Sequence, residues 1–488
     1  MSDSDLRRLA LSVLLPGFVG TTPPAWLRRA VDDGLAGVCL FGQNVESPEQ
    51  VRALAGALRD GRDDLLVASD EEGGSVTRLD AGLGSPWPGA ATLGALDDVR
   101  STYDVALGLG RQARACGVDL VLAPVLDVNS EPDNPVIGVR SFGASTELVS
   151  RHGVAFVRGL QEAGVAACVK HFPGHGATTV DSHVGLPVLD VSREVWAERD
   201  LQPFAAAVDA GVASVMTAHV VVRSLDQRPA TTSGPVLGIL RDELGFDGCI
   251  VSDALDMRAI ADAPGGRAAG AVQALTAGVD LLCVGNPVFP DGYDPEAVLE
   301  EIVAAVVDAV RAATLPRERL EDASARVRRL AAVPTREPLP LPNRADLLDR
   351  GAAVAARALT VVGDGRLRDE AVVVVPRPVT GYAAGRKPSA LVTELQRRRP
   401  GWRVVERLEE AEPDDGDVLV VVEGADTHAL APAVAAVLER RPDAVVVHGG
   451  LRRDDEGTTW GTRTVHIHGT GAATAVAAVN VLLGEESK

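Results

Sequence analysis

Short apolar stretches recur along the first part of the chain, and each is followed by a longer amphipathic or irregular segment. Nearly every residue in these stretches is apolar, which is typical of strands covered on both faces of a parallel sheet. Strands that alternate with helices, such as Pro48–Arg59 and Glu296–Ala312, predict a (β/α)8 barrel, an α/β fold, rather than an antiparallel sheet. The eight predicted strands are Leu11–Phe18, Gly37–Phe41, Leu65–Ser69, Val118–Ala123, Val165–Lys170, Ala213–Thr217, Gly248–Ser252 and Val279–Val284.

A proline-rich stretch interrupts this pattern after Leu330. Because the prolines prevent a continuous helix, residues 334–345 are predicted to form a linker between two domains. Residues 1–333 would form the catalytic barrel, and residues 346–488 a smaller α/β sandwich domain. In this second part a helix is predicted at Leu430–Arg440 and further strands at Leu359–Val362, Ala371–Val375, Val418–Val422, Ala444–Val447 and Thr464–Ile467.

Polar residues follow directly after several of the predicted strands rather than preceding them. In a barrel the carboxyl ends of all strands meet at one rim, where barrel enzymes have their active sites. A single such residue is better explained as a helix cap or a loop residue, but the group as a whole predicts a site. Its members are Asp70, Asp127, Lys170, His171, His219 and Asp253.

The charge and the termini restrict the possible partners. The chain has 48 Lys and Arg against 68 Asp and Glu, a formal net charge of −20, which argues against nucleic acid or an anionic membrane as a partner. The first residues lack the basic and apolar regions of a secretory signal, and no apolar stretch is long enough to span a membrane. We therefore expect a cytoplasmic protein.

Cysteine and lysine are both unusual in this chain. The cysteines are odd in number and widely spaced, which predicts buried free thiols of a reducing compartment rather than a disulfide framework. Lysine occurs only at Lys170, Lys387 and Lys488, so Lys170 stands out as a position where arginine is not used. The five cysteines are Cys39, Cys116, Cys168, Cys249 and Cys283.

The most informative segment runs from Lys170 to His183 and contains one Lys, three His and one Asp among glycines and a proline. Asp181 and His183 are two residues apart, and their side chains can meet if the chain turns between them. A carboxylate beside an imidazole fixes its tautomer and stabilises its charged form, as a general acid and base requires. Asp253 follows another strand, without a Ser or Cys nucleophile elbow nearby, and is a candidate glycosidase nucleophile or a helix cap.

Eight motifs occur in order between about residues 5 and 330: Phe41-Gly-Gln-Asn, Asp70-Glu-Glu-Gly-Gly-Ser-Val-Thr-Arg78, Pro124-Val-Leu-Asp-Val-Asn, Ile137-Gly-Val-Arg140-Ser-Phe-Gly, Lys170-His-Phe-Pro-Gly-His-Gly, Asp181-Ser-His183, Met216-Thr-Ala-His219-Val and Leu244-Gly-Phe-Asp-Gly-Cys-Ile-Val-Ser-Asp253. With these motifs the sequence resembles the glycoside hydrolase family 3 β-N-acetylhexosaminidases of the peptidoglycan-recycling type. The pair Lys-His-Phe-Pro-Gly-His-Gly and Asp-Ser-His is the most selective part of the resemblance.

The resemblance implies a retaining exo-β-N-acetylglucosaminidase that acts on terminal β-linked GlcNAc of muropeptide or chito-oligosaccharide fragments. Asp253 would be the nucleophile, His183 the acid and base, and Asp181 its orienting partner. No metal or cofactor is implied, and the protein would be a monomer or a homodimer. The residues expected to bind the sugar are Asp70, Arg78, Arg140, Lys170, His171 and His219.

One motif departs from the family. Members often read Asp-Gln-Glu-Gly-Gly-Arg, whereas this chain has Glu71 in place of the glutamine and Ser75 in place of the arginine. Both changes lead us to expect a more acidic corner of the site.

Three other functions are compatible with the residues. Imidazole does not repel phosphate, so the second step could instead be phosphorolysis, giving a sugar 1-phosphate. A metal-dependent barrel hydrolase could use His171, His175, His183 and Asp253, although no His-x-His follows the first predicted strand. An inactive sugar-binding protein is the third alternative.

The C-terminal part offers little chemistry. His466 and His468 have a spacing compatible with a metal site, but no third ligand lies nearby, which favours a structural role. The segment Gly469-Thr-Gly471 is expected to be a simple turn from a strand into the final helix.

Overall fold

The computed structural model describes residues 2–181, 185–368, 370–376, 389–407, 416–423, 427–451 and 460–485. Parallel strands and helices alternate along both parts of the chain, so the predicted α/β class is confirmed. The first region denotes the described residues between 2 and 333, and the second region denotes the described residues from 344 onward.

The strands of the first region form a six-stranded parallel sheet, a parallel two-stranded pair and two small additional pairs. They are β1 (Leu14–Pro16), β2 (Gly37–Leu40), β3 (Leu66–Ser69), β4 (Glu71–Gly73), β5 (Val76–Thr77), β6 (Leu120–Val121), β7 (Ala166–Phe172), β8 (Val188–Leu189), β9 (Ser214–Thr217), β10 (Val221–Val222), β11 (Cys249–Val251) and β12 (Leu282–Gly285).

The large sheet has the order β11-β9-β7-β6-β3-β2, and β1 pairs with β12. A parallel bridge between Val251 and Leu281 links the end of β11 to the residue before β12. Each of the eight predicted strands overlaps one of these eight parallel strands. All of the observed strands except β7 are shorter than predicted. At β6 the reason is Pro124, which follows closely and has no N–H to donate to a neighbouring strand.

The helices of the first region pack their apolar faces against the strands. Helix starts follow local chemistry: Ser47 caps the helix that begins at Pro48, and Asp294 caps the one that begins at Pro295. The helices are α1 (Asp3–Leu11), α2 (Ala25–Asp32), α3 (Pro48–Leu58), α4 (Ala90–Leu96), α5 (Val99–Ala115), α6 (Thr146–Glu162), α7 (Arg193–Trp196), α8 (Gln202–Asp209), α9 (Gly234–Gly238), α10 (Arg258–Ala261), α11 (Gly266–Ala277), α12 (Pro295–Arg311) and α13 (Arg317–Ala331).

The second region is built around a six-stranded sheet of order β13-β18-β17-β16-β14-β15, parallel except for the β13–β18 pair. Its sequence did not predict β15, which is largely exposed and contains only two apolar residues. Its elements are α14 (Arg344–Ala358), β13 (Thr360–Val362), β14 (Ala371–Val374), α15 (Ala390–Arg398), β15 (Arg403–Val405), β16 (Asp417–Val422), α16 (Ala431–Arg440), β17 (Val445–His448), β18 (Thr464–His466) and α17 (Ala472–Leu483).

The proline-rich stretch lies along the first region. Thr335 donates its backbone N–H to the carbonyl of Gly164 at 2.8 Å, and Arg52 donates to the carbonyl of Leu339. Helix α14 begins at Arg344, inside the end of the predicted linker, and Arg344 bonds Asp80 of the first region at 3.1 Å. The division into residues 1–333, 334–345 and 346–488 stays a prediction.

The five cysteines are free thiols and are buried, as predicted. Among the described residues, no helix combines the length and the apolar character needed to cross a lipid bilayer.

Candidate functional site

Two ion pairs gather around one lysine at the carboxyl ends of β3 and β7. Lys170 Nζ lies 2.7 Å from Asp70 Oδ1 and 2.8 Å from Glu72 Oε1. Arg78 Nη2 lies 3.0 Å from Asp70 Oδ2, and Arg140 binds Glu72 through Nε and Nη2 at 2.9 and 2.8 Å. Three cations and two carboxylates therefore form one connected cluster, which brings together four of the predicted sugar-binding residues.

The cluster keeps all its members charged. Burial alone would raise the pKa of Asp70, but Lys170 and Arg78 hold it well below the usual range. Burial opposes ionisation of Glu72 in the same way, yet Arg140 and Lys170 lower its pKa to about 2. Burial would lower the pKa of Lys170, but Asp70 and Glu72 raise it above its ordinary value. Each charge is thus compensated by a partner that is nearly as buried.

His171 joins this cluster to a second buried carboxylate. Its Nδ1 lies 2.7 Å from Asp127 Oδ2, and its Nε2 lies 3.3 Å from Arg140 Nη2. Since a carboxylate accepts and a guanidinium only donates, His171 carries its proton on Nδ1 and accepts at Nε2. Against the raising effect of burial, His171 and the backbone N–H of His175 hold the pKa of Asp127 below its ordinary value. The imidazole ring is therefore fixed in both orientation and tautomer.

His175 is a buried neutral residue of the loop that follows β7. Its Nδ1 lies 2.6 Å from Thr178 Oγ1, and its carbonyl accepts from the Asn134 amide at 2.8 Å. Burial lowers its pKa to about 4. These bonds fix the start of the loop that leads to Asp181.

Asp253 follows β11 and is half-buried, and its Oδ1 accepts the backbone N–H of Ala254 at 2.8 Å. Strand β11 and strand β7, which contains Lys170, both pair in parallel with β9. Asp253 therefore follows the sheet at the same edge as Lys170.

His219 follows β9 and is fully buried. Its Nδ1 lies 2.8 Å from Thr231 Oγ1, and its Nε2 lies 2.9 Å from the carbonyl of Ala254. The ring therefore supports the backbone next to Asp253. Both ring nitrogens are thus engaged within the protein, and the predicted contact of His219 with the sugar stays a prediction.

The predicted acid and base lies outside the described part of the chain. His183 falls within residues 182–184, which are not among the described residues. Asp181 is buried at the end of the preceding described segment. The predicted contact between Asp181 and His183 therefore stays a prediction.

The side chain of Glu71, at the position where family members often have glutamine, is held within a hairpin, and the expected acidity of this corner of the site stays a prediction. Glu71 points into the β4–β5 hairpin, where it accepts from Ser69 Oγ, Thr77 Oγ1 and the backbone N–H groups of Arg78 and Leu79, at 2.6–3.0 Å. Burial raises its pKa to about 7. Its role is to hold the hairpin that carries Asp70 and Arg78.

Sequence reasoning missed Glu72 as a site residue. It is 6% exposed and contacts both Lys170 and Arg140. The signal was present, since Glu72 lies in the same motif as Asp70, but its partners are 68 and 98 residues away in the chain. Only the tertiary structure reveals that it connects the two cations.

The arrangement suits a polyhydroxylated ligand. Lysine and arginine N–H groups donate, and carboxylate oxygens accept, so neighbouring hydroxyls of a sugar ring can be bound in both directions. In the described part of the chain, no group of three or more His, Cys, Asp or Glu has the geometry of a metal site.

Comparison with known proteins places the site in a family. Residues 25–330 match the model described as "Glycosyl hydrolase family 3 N terminal domain". A β-hexosaminidase A from Pseudoalteromonas piscicida is 34% identical over 334 residues, covering 64% of this chain and 55% of that protein. A β-hexosaminidase from Nitrosomonas eutropha is 37% identical over 312 residues, covering 62% of this chain and 88% of that protein. The chain thus matches only about half the length of the first relative.

Solved structures extend the similarity to the second region. A glycoside hydrolase family 3 β-N-acetylglucosaminidase from Paenibacillus sp. str. FPU-7 has a TM-score of 0.83 and 31% identity, covering 98% of this chain and 97% of that one. A β-glucoside phosphorylase has a TM-score of 0.77 and 18% identity, covering 100% of this chain and 93% of that one. The latter likeness is one of fold alone.

Proposed function

The chain belongs to glycosyl hydrolase family 3, and from that premise we propose that it is a retaining exo-β-N-acetylglucosaminidase. The observation that carries this proposal is the buried cluster in which Lys170 joins Asp70 and Glu72, with Arg78 and Arg140 as outer partners. The structural likeness to a β-N-acetylglucosaminidase along nearly the whole chain supports the same activity. Terminal β-linked GlcNAc of muropeptide or chito-oligosaccharide fragments is the proposed substrate.

The proposed architecture is a closed (β/α)8 barrel followed by a separate α/β domain. The order of the parallel strands, the β1–β12 pair and the bridge from β11 support closure. In a closed barrel Asp70, Asp127, Lys170 and Asp253 would face one mouth, because each follows or ends a parallel strand.

In the proposed mechanism, Asp253 attacks the anomeric carbon while His183 protonates the departing oxygen. Water then enters, His183 removes its proton, and the glycosyl-enzyme bond breaks with overall retention. Asp181 would orient His183 and stabilise its charged form. His219 would keep the backbone beside Asp253 in place through its bond to the Ala254 carbonyl.

The cluster would bind the terminal sugar. Asp70 accepts from sugar hydroxyls while it is held ionised by Lys170 and Arg78. Lys170 provides a compact donor: two of its three N–H groups serve Asp70 and Glu72, which leaves one for a sugar hydroxyl. Arg140 and His171 are the other proposed contacts with the sugar. Glu72 orients Lys170 and Arg140 through its ion pairs with both.

The test is release of the aglycone from an aryl β-GlcNAc, with and without inorganic phosphate, with the sugar product identified by mass and by anomer in NMR. We expect free GlcNAc under both conditions, appearing first as the β anomer. A first α anomer would contradict the role of Asp253 as nucleophile. A phosphate-dependent rate with GlcNAc 1-phosphate as product would make the enzyme a phosphorylase.

Aryl β-glucoside and aryl α-GlcNAc serve as controls for the sugar and for the anomeric configuration. Hydrolysis of the β-glucoside at the same rate would contradict recognition of the N-acetyl group. Absence of any product would overturn the proposed activity.

A further inference from the structure

The loop between β18 and α17, residues 467–471, reaches the first region next to the cluster. A small pocket at this contact is lined by Glu72 and Arg140 from the first region and by Gly469 and Thr470 from the second. Ser75 also lines this pocket, at the position where family members often have an arginine. The second region therefore lines the same pocket as Glu72 and Arg140.

The loop packs against the turn that directly follows Glu72. Gly74 has a backbone φ of 55°, and a Cβ there would lie 2.9 Å from Gly89 Cα and 3.2 Å from the carbonyl oxygen of Thr470. Gly471 has a φ of 134°, and a Cβ there would lie 2.9 Å from the carbonyl oxygen of Gly74. Both positions require glycine, for the backbone angle and for the close approach. The turn is thus confined between Gly89 and the loop.

Buried hydrogen bonds fix the loop in this place. Thr92 Oγ1, fully buried in α4, donates to the carbonyl of His468 at 2.9 Å. The first two N–H groups of α17, at Ala472 and Ala473, donate to the carbonyl of Ser85 at 3.0 and 3.2 Å. His468 itself has a left-handed φ of 50°, which a non-glycine residue adopts only when its surroundings hold it there.

Glu72 can orient Lys170 and Arg140 only if its own backbone is fixed. We propose that the loop at residues 467–471 is a positioning element for the sugar site: it holds the Gly73–Gly74 turn, so that Glu72 keeps both cations in place. This inference rests on the proposed function and assigns the second region a part in substrate binding.

The test uses two substitutions of Thr92 in the full chain. Thr92→Val keeps the shape and removes the hydroxyl, whereas Thr92→Ser keeps the hydroxyl. We expect Thr92→Val to raise KM for an aryl β-GlcNAc, and the inhibition constant of GlcNAc, by about three- to thirtyfold. We expect kcat to stay close to wild type, because the cluster binds the sugar equally in the ground state and in the transition state. Thr92→Ser should restore most of the affinity.

A merely structural role would give a different pattern. It would lower the unfolding temperature and the fraction of active enzyme, and KM would stay at the wild-type value in both variants. That result would overturn the proposal, and so would an equal rise of KM in the Val and Ser variants.

Gly471→Ala provides a second test, with Gly484→Ala at the other end of α17 as its control. Gly484 also has a positive φ, of 65°, but a Cβ there would meet only the side chain of Arg366, at 3.5 Å. We expect KM to rise in Gly471→Ala and to stay unchanged in Gly484→Ala. A rise of KM in both variants would contradict the proposal.

Hydrogen exchange separates this proposal from the proposed function. If wild type releases no product from aryl β-GlcNAc, the proposed function fails, and the positioning role is then judged from exchange alone. Faster exchange at Gly73–Ser75 in Thr92→Val but not in Thr92→Ser would support it. Unchanged exchange in both variants would overturn it.

Discussion

Asp253 is the residue on which the proposed chemistry depends. Asparagine has nearly the same shape as aspartate but cannot attack the anomeric carbon. We therefore expect Asp253→Asn to reduce turnover of aryl β-GlcNAc to background while GlcNAc still binds with about the wild-type Kd. Steady-state kinetics measures the loss of turnover, and calorimetry measures the retained binding of GlcNAc. A variant that turns over at near the wild-type rate would remove Asp253 from its role.

The loss of activity on removing His183 should depend on how much the leaving group needs protonation. Substrates with poor leaving groups require protonation of the departing oxygen, whereas activated aryl glycosides need little. We expect His183→Ala to slow a chito-oligosaccharide by about 10²- to 10⁴-fold and an activated aryl glycoside much less in its first step. Equal losses on both substrates, measured as kcat/KM, would contradict the assignment of the acid.

Glu71 makes stability depend on pH. Burial raises its pKa in the folded protein from an ordinary 4.5 to about 7, so its stabilising contribution is complete below pH 4.5 and is lost as the pH rises through 7. Glutamine can accept the two backbone N–H groups through its oxygen and donate to Thr77. We compare the unfolding free energy of Glu71→Gln with that of wild type at two pH values. The difference, variant minus wild type, should be up to about 3 kcal/mol larger at pH 8 than at pH 4.

Urea unfolding of both proteins across that pH range measures this difference. A difference in unfolding free energy that does not change with pH would show that Glu71 titrates at its ordinary value.

At the scale of single elements, α14 is held by a close approach of its backbone to the first region. A Cβ at Gly351 would collide with the carbonyl oxygen of Pro86. Gly56 in α3 has no neighbouring atom within 4 Å of such a Cβ. We expect Gly56→Ala to stabilise the protein by about 0.5–1 kcal/mol, the helix propensity gain, and Gly351→Ala to destabilise it. Thermal unfolding measures both, and stabilisation by Gly351→Ala would contradict the close packing of α14.

At the scale of the whole molecule, the two regions share buried contacts. Thr92 bonds His468, Arg344 bonds Asp80, and Ser85 accepts from the start of α17. Separating the regions would leave these groups unpaired, so we expect a single cooperative transition in scanning calorimetry. Two resolved transitions would show that the regions unfold independently.

The sequence was sufficient for the eight main parallel strands of the first region, for the family and for most of the cluster. Each of these eight strands lies in a short apolar run, and covered strands must be apolar regardless of what surrounds them. Asp70, Arg78, Arg140 and Lys170 lie in motifs, and the structure brings these four distant positions into one cluster. Their binding of a sugar stays a prediction. The predicted membership of glycosyl hydrolase family 3 is confirmed.

Only the tertiary structure decided which way each side chain points and what it contacts. Glu71 and Glu72 are adjacent and chemically alike, but successive residues of a strand face opposite sides. Glu71 therefore accepts hydrogen bonds within the hairpin, whereas Glu72 binds two cations of the cluster. His219 matched a motif but has both ring nitrogens bonded inside the protein. The turn at Gly469–Gly471 looked ordinary in sequence, and its neighbour Gly74 is separated from it by nearly 400 positions. Such contacts depend on packing between distant segments, which no local pattern in the chain encodes.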